Sequence, residues 1–304
     1  MRRIEAKQRH LRLDDRGVEI ALLDWGGDGP LVLMHHANGF CAGTLGLVAE
    51  ALVPAFRVIG MDARGHGESS KPEGPGAYEW DHFALDYLAV AEQLAEELGT
   101  GRVGVGVGHS FGGTSALGAA ARRPALFERL VLVDPVIPPP AELLATLDPG
   151  RVGRLARLVE GARKRRTLWA SRDEARAHFT RKSLFRNWLP EAIDLYVDHG
   201  LRLRADGQVE LKCPGAVEAA IYGASSRPDV ADLARRASKV PATVLWAENG
   251  DFTRPVYERV FGPLPSVEIV DVPCGHLVPM ERPDLVVTAI GGQREGEAWR
   301  SSTM

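Results

Sequence analysis

The segment that most constrains the fold spans residues 104–120 and reads GVGVGHSFGGTSALGAA. A β-like run, residues 103–107, precedes Ser110, and a run of small residues typical of a helix, residues 114–121, follows it. Gly108 and Gly112 flank the serine at positions where a tight turn leaves no space for side chains. This G-x-S-x-G pattern between a strand and a helix predicts a nucleophile elbow, a strained turn that holds the serine hydroxyl at the end of a sheet.

Two phosphate-binding motifs are alternatives for a glycine-rich turn between a strand and a helix. A P-loop ends in Gly-Lys-Ser or Gly-Lys-Thr, which this segment lacks. A dinucleotide fingerprint places G-x-G-x-x-G at the start of the helix, whereas Gly104 and Gly106 lie within the predicted strand. The pattern therefore favours the elbow over a loop that binds phosphate.

Short apolar runs alternate with helix-like runs through most of the chain. The continuous apolar character of the later runs is typical of strands buried on both faces, as in a parallel sheet covered by helices. This rhythm predicts an α/β fold with a doubly wound, mostly parallel sheet. The predicted strands are residues 18–23, 31–34, 55–61, 103–107, 130–133, 242–246 and 267–270, and the clearest amphipathic helix is residues 80–98.

The alternation stops at three consecutive prolines, residues 138–140, which can continue neither a strand nor the interior of a helix. From residue 141 to about residue 238 the pattern is mostly helical, and β-like runs return at Val240. We therefore predict a core made of residues 1–136 and 239–304, with residues 137–238 inserted as a helical cap.

Composition excludes several classes of function. A net charge of −3 gives no general attraction to nucleic acid or anionic membranes, and no apolar run reaches the roughly 18 residues of a membrane span. The N-terminus has no apolar run of a secretory signal, and Cys41, Cys213 and Cys274 form no CxxC pair, which together predict a cytoplasmic protein. No sequence pattern indicates a metal or cofactor site. The basic run at residues 163–166 is interpreted as a solvated helix face.

A serine hydroxyl becomes a nucleophile when a base removes its proton and a carboxylate orients that base. His276 is the candidate base, because it lies in a loop after the last predicted strand. Asp251 is the predicted acid, because it follows the strand before that and gives the chain order serine, acid, histidine. Asp134, just beyond the strand at residues 130–133, is the alternative.

Four segments together, LMHHANGF, DARGHGESS, GHSFGG and GHLVPMERPD, give the chain a family resemblance. Over residues 18–289 it resembles the α/β-hydrolase superfamily, in the branch that carries a helical cap after the sixth strand. The combination is specific for the superfamily and weak for the substrate. The resemblance implies that Arg64 and His66, in the second segment, serve the scaffold.

The resemblance also implies an oxyanion hole, in which backbone N–H groups bind the negative oxygen that forms during acyl transfer. The family usually has His-Gly-X after its third strand, and here the segment reads His36-Ala37-Asn38. The matching position is Asn38, which can offer its backbone N–H or its side-chain amide. The partner donor is the N–H of Phe111, directly after the serine.

Phe40, Phe252 and Leu277 are predicted to contact the substrate, because each is close in sequence to a predicted site residue. The expected reaction is hydrolysis of a carboxylic ester, lactone or thioester of a small to medium apolar molecule through an acyl-enzyme. C–C bond hydrolysis and perhydrolysis use the same residues and stay open. A binding protein that senses a small molecule with little turnover is the alternative outside enzymes.

Overall fold

The computed structural model describes residues 4–138 and 149–291. In this part of the chain an eight-stranded sheet has the order β1-β2-β4-β3-β5-β6-β10-β11, parallel except where β2 pairs with β1 and β4. This confirms the predicted doubly wound, mostly parallel sheet. Its strands are β1 (Lys7–Leu13), β2 (Val18–Gly26), β3 (Leu31–His35), β4 (Arg57–Met61), β5 (Val103–His109), β6 (Phe127–Val133), β10 (Ala242–Asn249) and β11 (Val267–Gly275).

The sequence pattern does not predict strand β1. It is an edge strand that pairs only with β2, and most of its side chains are polar and exposed. Charged side chains are common on edge strands, where they prevent pairing with other chains. Such a strand has no continuous apolar run by which it could be recognised.

Helices cover both faces of the sheet and bury its apolar side chains. One face packs against α2 (Trp80–Glu97) and α3 (Phe111–Arg122), together with α9 (Arg254–Phe261). The other face packs against α1 (Gly46–Leu52) and α11 (Pro283–Gly291), while the short α10 (Val278–Glu281) follows β11. Helix α2 ends one residue before the predicted end at Leu98.

The segment predicted as a cap is mostly helical and also holds a small sheet. Its helices are α4 (Pro149–Lys164), α5 (Arg172–Thr180), α6 (Pro190–Gly200), α7 (Gly215–Tyr222) and α8 (Val230–Arg236), and its strands are β7 (Leu168–Trp169), β8 (Leu201–Leu203) and β9 (Val209–Leu211). Helix α8 packs on the core through Val230 and Leu233. The boundary at residue 238 stays a prediction, and Pro139, Pro140 and the residues after Gly291 lie outside the described ranges.

Buried aromatic rings bring the cap against the loop that follows β3. The ring of Phe185 lies 4.6 Å from that of Trp188 and 5.0 Å from that of Phe179. Phe40, from the core, contacts Trp188 and Tyr196 at 5.3 Å between ring centroids. This cluster therefore packs the segment predicted as a cap against the loop in which an oxyanion hole is predicted.

Candidate active site

The turn between β5 and α3 carries Ser110 in a conformation rare for a residue with a side chain. Its φ is 57° and its ψ is −123°, a strained combination of the kind that occurs at functional turns. A Cβ on Gly108 would lie 2.2 Å from the carbonyl oxygen of Gly112. A Cβ on Gly112 would lie 2.6 Å from the carbonyl oxygen of His35. Both positions require glycine, because neighbouring backbone atoms occupy the space that a Cβ atom would need.

Three side chains form a continuous hydrogen-bonded series at this turn. His276 Nε2 lies 2.8 Å from Ser110 Oγ, and His276 Nδ1 lies 2.5 Å from Asp134 Oδ2. With the proton on Nδ1, the imidazole donates to the carboxylate and accepts from the serine hydroxyl. This arrangement can remove a proton from the hydroxyl and stabilise the imidazolium that results.

Asp251, the predicted acid, is not the carboxylate that contacts His276, and the structure contradicts its predicted placement. Its side chain is 54% exposed, and its Oδ1 accepts a hydrogen bond of 2.9 Å from Arg154. Asp134 is the carboxylate beside His276 because β6 is the immediate neighbour of β5, with His109 paired opposite Val133. Ser110 and Asp134 thus follow the ends of adjacent strands, whereas β10 lies one strand further away.

Asp134 is fully buried and its carboxylate is well supplied with donors. Its Oδ1 accepts from the Ala247 N–H at 3.2 Å and from the Tyr257 hydroxyl at 2.8 Å. Burying a carboxylate is costly unless donors such as these replace its hydrogen bonds to water. No pattern in the sequence marks Tyr257, since a single aromatic residue on an amphipathic helix looks like any other core residue.

The pKa of His276 is raised above its usual 6.5. Burial acts to lower it, but the hydrogen bond to Asp134 and the charge of that carboxylate outweigh burial. Asp134 therefore stabilises the protonated imidazole, which is the form that a general base adopts during the reaction.

His109, the residue before the serine, holds the loop of the base. Its Nε2–H donates to the carbonyl oxygen of His276 at 2.9 Å. Burial lowers the pKa of His109 to about 3, so the ring is neutral and adds no charge beside His276. The sequence motif predicts no role for His109, because it accepts many residue types at that position.

In the loop of residues 36–40, here called the oxyanion loop, some backbone N–H groups are held in hydrogen bonds and others are not. The N–H of Gly39 donates to His66 Nε2 at 3.0 Å, and that of Phe40 donates to the Ala37 oxygen at 3.2 Å. Across the described ranges, the N–H groups of Ala37 and Asn38 make no hydrogen bond. The Asn38 side-chain amide, in contrast, donates to the Glu218 carbonyl oxygen at 3.1 Å and is occupied.

Phe111, the other predicted donor, is the first residue of α3. The first N–H groups of a helix have no acceptor within the helix, and the positive end of the helix dipole lies there. The Phe111 N–H is thus suited to an anionic ligand. Its pairing with a donor of the oxyanion loop stays a prediction.

The two residues interpreted as scaffold make contacts away from the serine. Arg64 forms a buried ion pair with Asp86, with Nε at 2.6 Å and Nη2 at 2.8 Å from its oxygens. His66 donates from Nδ1 to the Arg64 carbonyl oxygen at 3.1 Å and holds the oxyanion loop through Nε2. Burial keeps the pKa of His66 well below its usual value, so it acts as a neutral acceptor.

The three predicted substrate contacts divide into two places. Phe40 and Leu277 belong to the same buried cluster beneath the cap. Phe252 instead packs on the core beside Tyr257, with 6.4 Å between ring centroids. The structure therefore brings Phe40 and Leu277 together and does not bring Phe252 to them.

The basic run at residues 163–166 is not uniformly solvated, which corrects the interpretation for one member. Lys164 pairs with Glu160 on the surface, whereas Arg165 turns inward and pairs with Glu218. The part of the chain that the structure describes has no group of acidic, histidine or cysteine side chains that could hold a metal ion. None of its helices is long and apolar enough to cross a membrane.

Comparisons with known proteins relate the chain to hydrolases. The model of the alpha/beta hydrolase family matches residues 31–289. Over 123 residues the chain is 32% identical to the AB hydrolase superfamily protein YfhM of Bacillus subtilis. This aligned stretch covers 40% of each of the two chains. Over 114 residues it is 35% identical to the bifunctional esterase/perhydrolase DCH of Acinetobacter calcoaceticus, covering 36% of this chain and 37% of that one. The matches thus span about two fifths of these relatives.

Solved structures share the fold over nearly the whole chain. The E-2-(acetamidomethylene)succinate hydrolase superposes with a TM-score of 0.77 at 24% identity, covering 94% of this chain and 98% of that one. An esterase from Thermogutta terrifontis, with malate bound, gives a TM-score of 0.65 at 26% identity, covering 94% and 97%.

Proposed function

The chain belongs to the α/β hydrolase family, and from that premise we propose that it is a serine hydrolase acting on a carboxylic ester, lactone or thioester. One observation carries the proposal. His276 bridges Ser110 at 2.8 Å and the buried Asp134 at 2.5 Å, with the serine on a strained turn. Nucleophile, base and orienting acid are then in hydrogen-bond contact, as acyl transfer by a serine requires.

In the proposed first half-reaction, His276 takes the hydroxyl proton as Ser110 Oγ attacks the carbonyl carbon of the substrate. The carbonyl oxygen becomes an oxyanion bound by the Phe111 N–H and an N–H of the oxyanion loop, for which we keep Asn38. His276 then gives the proton to the leaving alcohol or thiol as the bond to it breaks. The acyl group remains on Ser110.

In the second half-reaction, water attacks the acyl-enzyme and His276 takes a proton from it. The ester bond to Ser110 breaks, and the proton returns to the serine oxygen. Phe40 and Leu277 are the proposed apolar contacts for the substrate, since both lie beneath the cap in one cluster. Each oxyanion donor is expected to contribute about 10²–10³ in rate.

A fluorophosphonate probe tests the nucleophile directly. We expect Ser110 to be labelled and Ser110→Ala to lose both labelling and at least about 10⁴-fold in hydrolysis of esters of graded acyl length and of lactones. Ser115→Ala is the matched control, because its buried hydroxyl bonds the Phe111 carbonyl oxygen on the same helix. An unlabelled Ser110 would refute the assignment of the nucleophile.

Perhydrolysis is the second candidate, because the relative from Acinetobacter calcoaceticus carries both activities in its name. Hydrogen peroxide would replace water in attacking the acyl-enzyme, with His276 again taking the proton. Adding peroxide to the ester assay and measuring peracid separates the two outcomes. If Ser110 is labelled but no ester or lactone is hydrolysed and no peracid forms, C–C hydrolysis or a sensing protein would be favoured.

A further inference from the structure

The cap is hydrogen-bonded to the oxyanion loop at two positions, a backbone carbonyl and a side-chain amide. The Tyr196 hydroxyl of α6 lies 3.2 Å from the Gly39 carbonyl oxygen. The Asn38 side-chain amide donates to the Glu218 carbonyl oxygen of α7 at 3.1 Å. The cap therefore contacts the backbone of the loop that offers a donor to the oxyanion, and does more than close over it.

Arg165 determines which way the Tyr196 hydroxyl points. Its Nη2 lies 2.8 Å from that hydroxyl oxygen, and a guanidinium can only donate. The hydroxyl must therefore accept from Arg165, which directs its own proton to the Gly39 oxygen. Glu218 pairs with Arg165. The Glu218 carboxyl group also packs against Gly39, so closely that a Cβ added to Gly39 would lie 2.8 Å from Glu218 Cδ.

Planar peptide groups carry this constraint to the oxyanion donor. The Gly39 carbonyl held by Tyr196 shares a peptide group with the Phe40 N–H, which donates to the Ala37 oxygen at 3.2 Å. The Ala37 carbonyl in turn shares a peptide group with the Asn38 N–H. Because each group is planar and trans, fixing its oxygen fixes the direction of its N–H.

The core holds the same loop from below. His36 donates from Nδ1 to the Ala37 oxygen at 2.7 Å while its Nε2 accepts from the Ala63 N–H at 3.0 Å. The Gly39 N–H is held by His66. From the other side, the cap holds the Gly39 carbonyl through Tyr196 and the Asn38 side chain through the Glu218 carbonyl oxygen.

We propose that Tyr196, oriented by Arg165, is a positioning residue that sets the oxyanion-loop N–H through the Gly39 carbonyl, so that the cap completes the oxyanion hole. The inference rests on the proposed function. It predicts that loss of the Tyr196 hydroxyl weakens binding of the transition state while binding of the ground-state substrate is retained. The consequence is a lower kcat with an unchanged KM.

Tyr196→Phe removes only the hydroxyl and keeps the ring among its aromatic neighbours. Tyr87→Phe is the matched control, because the Tyr87 hydroxyl is also buried and donates to a backbone carbonyl, that of Leu33 in β3, at 2.8 Å. We expect Tyr196→Phe to lower kcat about tenfold or more with KM within twofold, and Tyr87→Phe to keep kcat within twofold. Affinity for a boronic acid that forms a tetrahedral adduct on Ser110 should fall in parallel with kcat in Tyr196→Phe alone.

The outcomes distinguish this inference from the proposed function. If the wild-type protein is labelled and hydrolyses an ester while Tyr196→Phe keeps its kcat, the positioning role is overturned and the serine hydrolase stands. Equal losses in Tyr196→Phe and Tyr87→Phe, with equal drops in Tm, would overturn it also, because the hydroxyl would then be only structural. If the wild type is neither labelled nor active, the proposed function itself fails.

Discussion

At the scale of single residues, the position of the acid depends on which strand end lies beside the serine. Asp134 follows β6, the neighbour of β5, and reaches His276, while Asp251 lies at the surface with Arg154. Chain order cannot separate the two, since both come between the serine and the histidine. The order of the strands in the sheet separates them, because β6 pairs with β5 and β10 does not.

Exchange of each acid for its amide tests the assignment. Asp134→Asn is expected to lower kcat by about 10³–10⁴-fold, because an amide can donate to Nδ1 and so favours the tautomer that cannot accept the serine proton. Asp251→Asn should change kcat by less than about twofold, since it removes one exposed ion pair. Steady-state kinetics of both variants decide between them, and a large loss in Asp251→Asn alone would reverse the assignment.

The raised pKa of His276 predicts the acidic limb of the pH profile. Only the neutral imidazole accepts the serine proton, so kcat/KM should fall as the pH drops through the pKa of His276, above the ordinary 6.5. In Asp134→Asn the carboxylate that raises this pKa is gone, so the residual activity should persist to lower pH. Profiles of kcat/KM against pH measure both, and an unmoved limb in the variant would contradict the pairing.

At the scale of elements, the segment from β5 to α3 works as a rigid mount for one side chain. Ser110 N–H donates to the Val133 oxygen at 2.8 Å, and the Gly113 N–H donates to the Ser110 oxygen at 2.9 Å. The serine is thus tied to the neighbouring strand and to its own helix. Backbone atoms packed against Gly108 and Gly112 on either side of the serine prevent the turn from leaving its strained conformation.

Gly108→Ala is expected to destabilise the protein by about 3 kcal/mol, because its Cβ would meet the Gly112 carbonyl at 2.2 Å. Gly161→Ala is the matched control within an exposed helix, where nothing lies within 4 Å, and should stabilise by about 0.5–1 kcal/mol. Urea denaturation of both variants gives the free energies of unfolding. A Gly108→Ala protein as stable as the wild type would show that the turn can open.

At the scale of the whole molecule, one buried ion cluster joins three separate parts of the core. Asp86 of α2 accepts from Arg64, after β4, and from Arg16, between β1 and β2. Asp86 and Arg64 are 1% and 4% exposed. A charge in such a place is costly unless its partner is present, so the cluster fixes how these elements assemble.

Arg64→Met should therefore destabilise the fold by about 3 kcal/mol, because it leaves the Asp86 carboxylate partly uncompensated. Arg123→Met, which removes an exposed pair with Glu92, should cost less than about 1 kcal/mol. Thermal and urea unfolding measure the difference. Equal stabilities of the two variants would mean that the buried cluster contributes no more than a surface pair.

Local patterns in the sequence were sufficient for the class of the fold, and they also predict the elbow around Ser110 and His276 as the base. Apolar runs reveal buried strands, and the glycines around a serine reveal a turn that admits no side chain. The contact of Asp134 with His276, the distance of Phe252 from the cluster of Phe40 and Leu277, and the hold of Arg165 and Tyr196 on the oxyanion loop are visible in the folded structure alone. Those contacts join residues far apart in the chain, and their existence depends on strand order and on the placement of the cap, neither of which has a local signal.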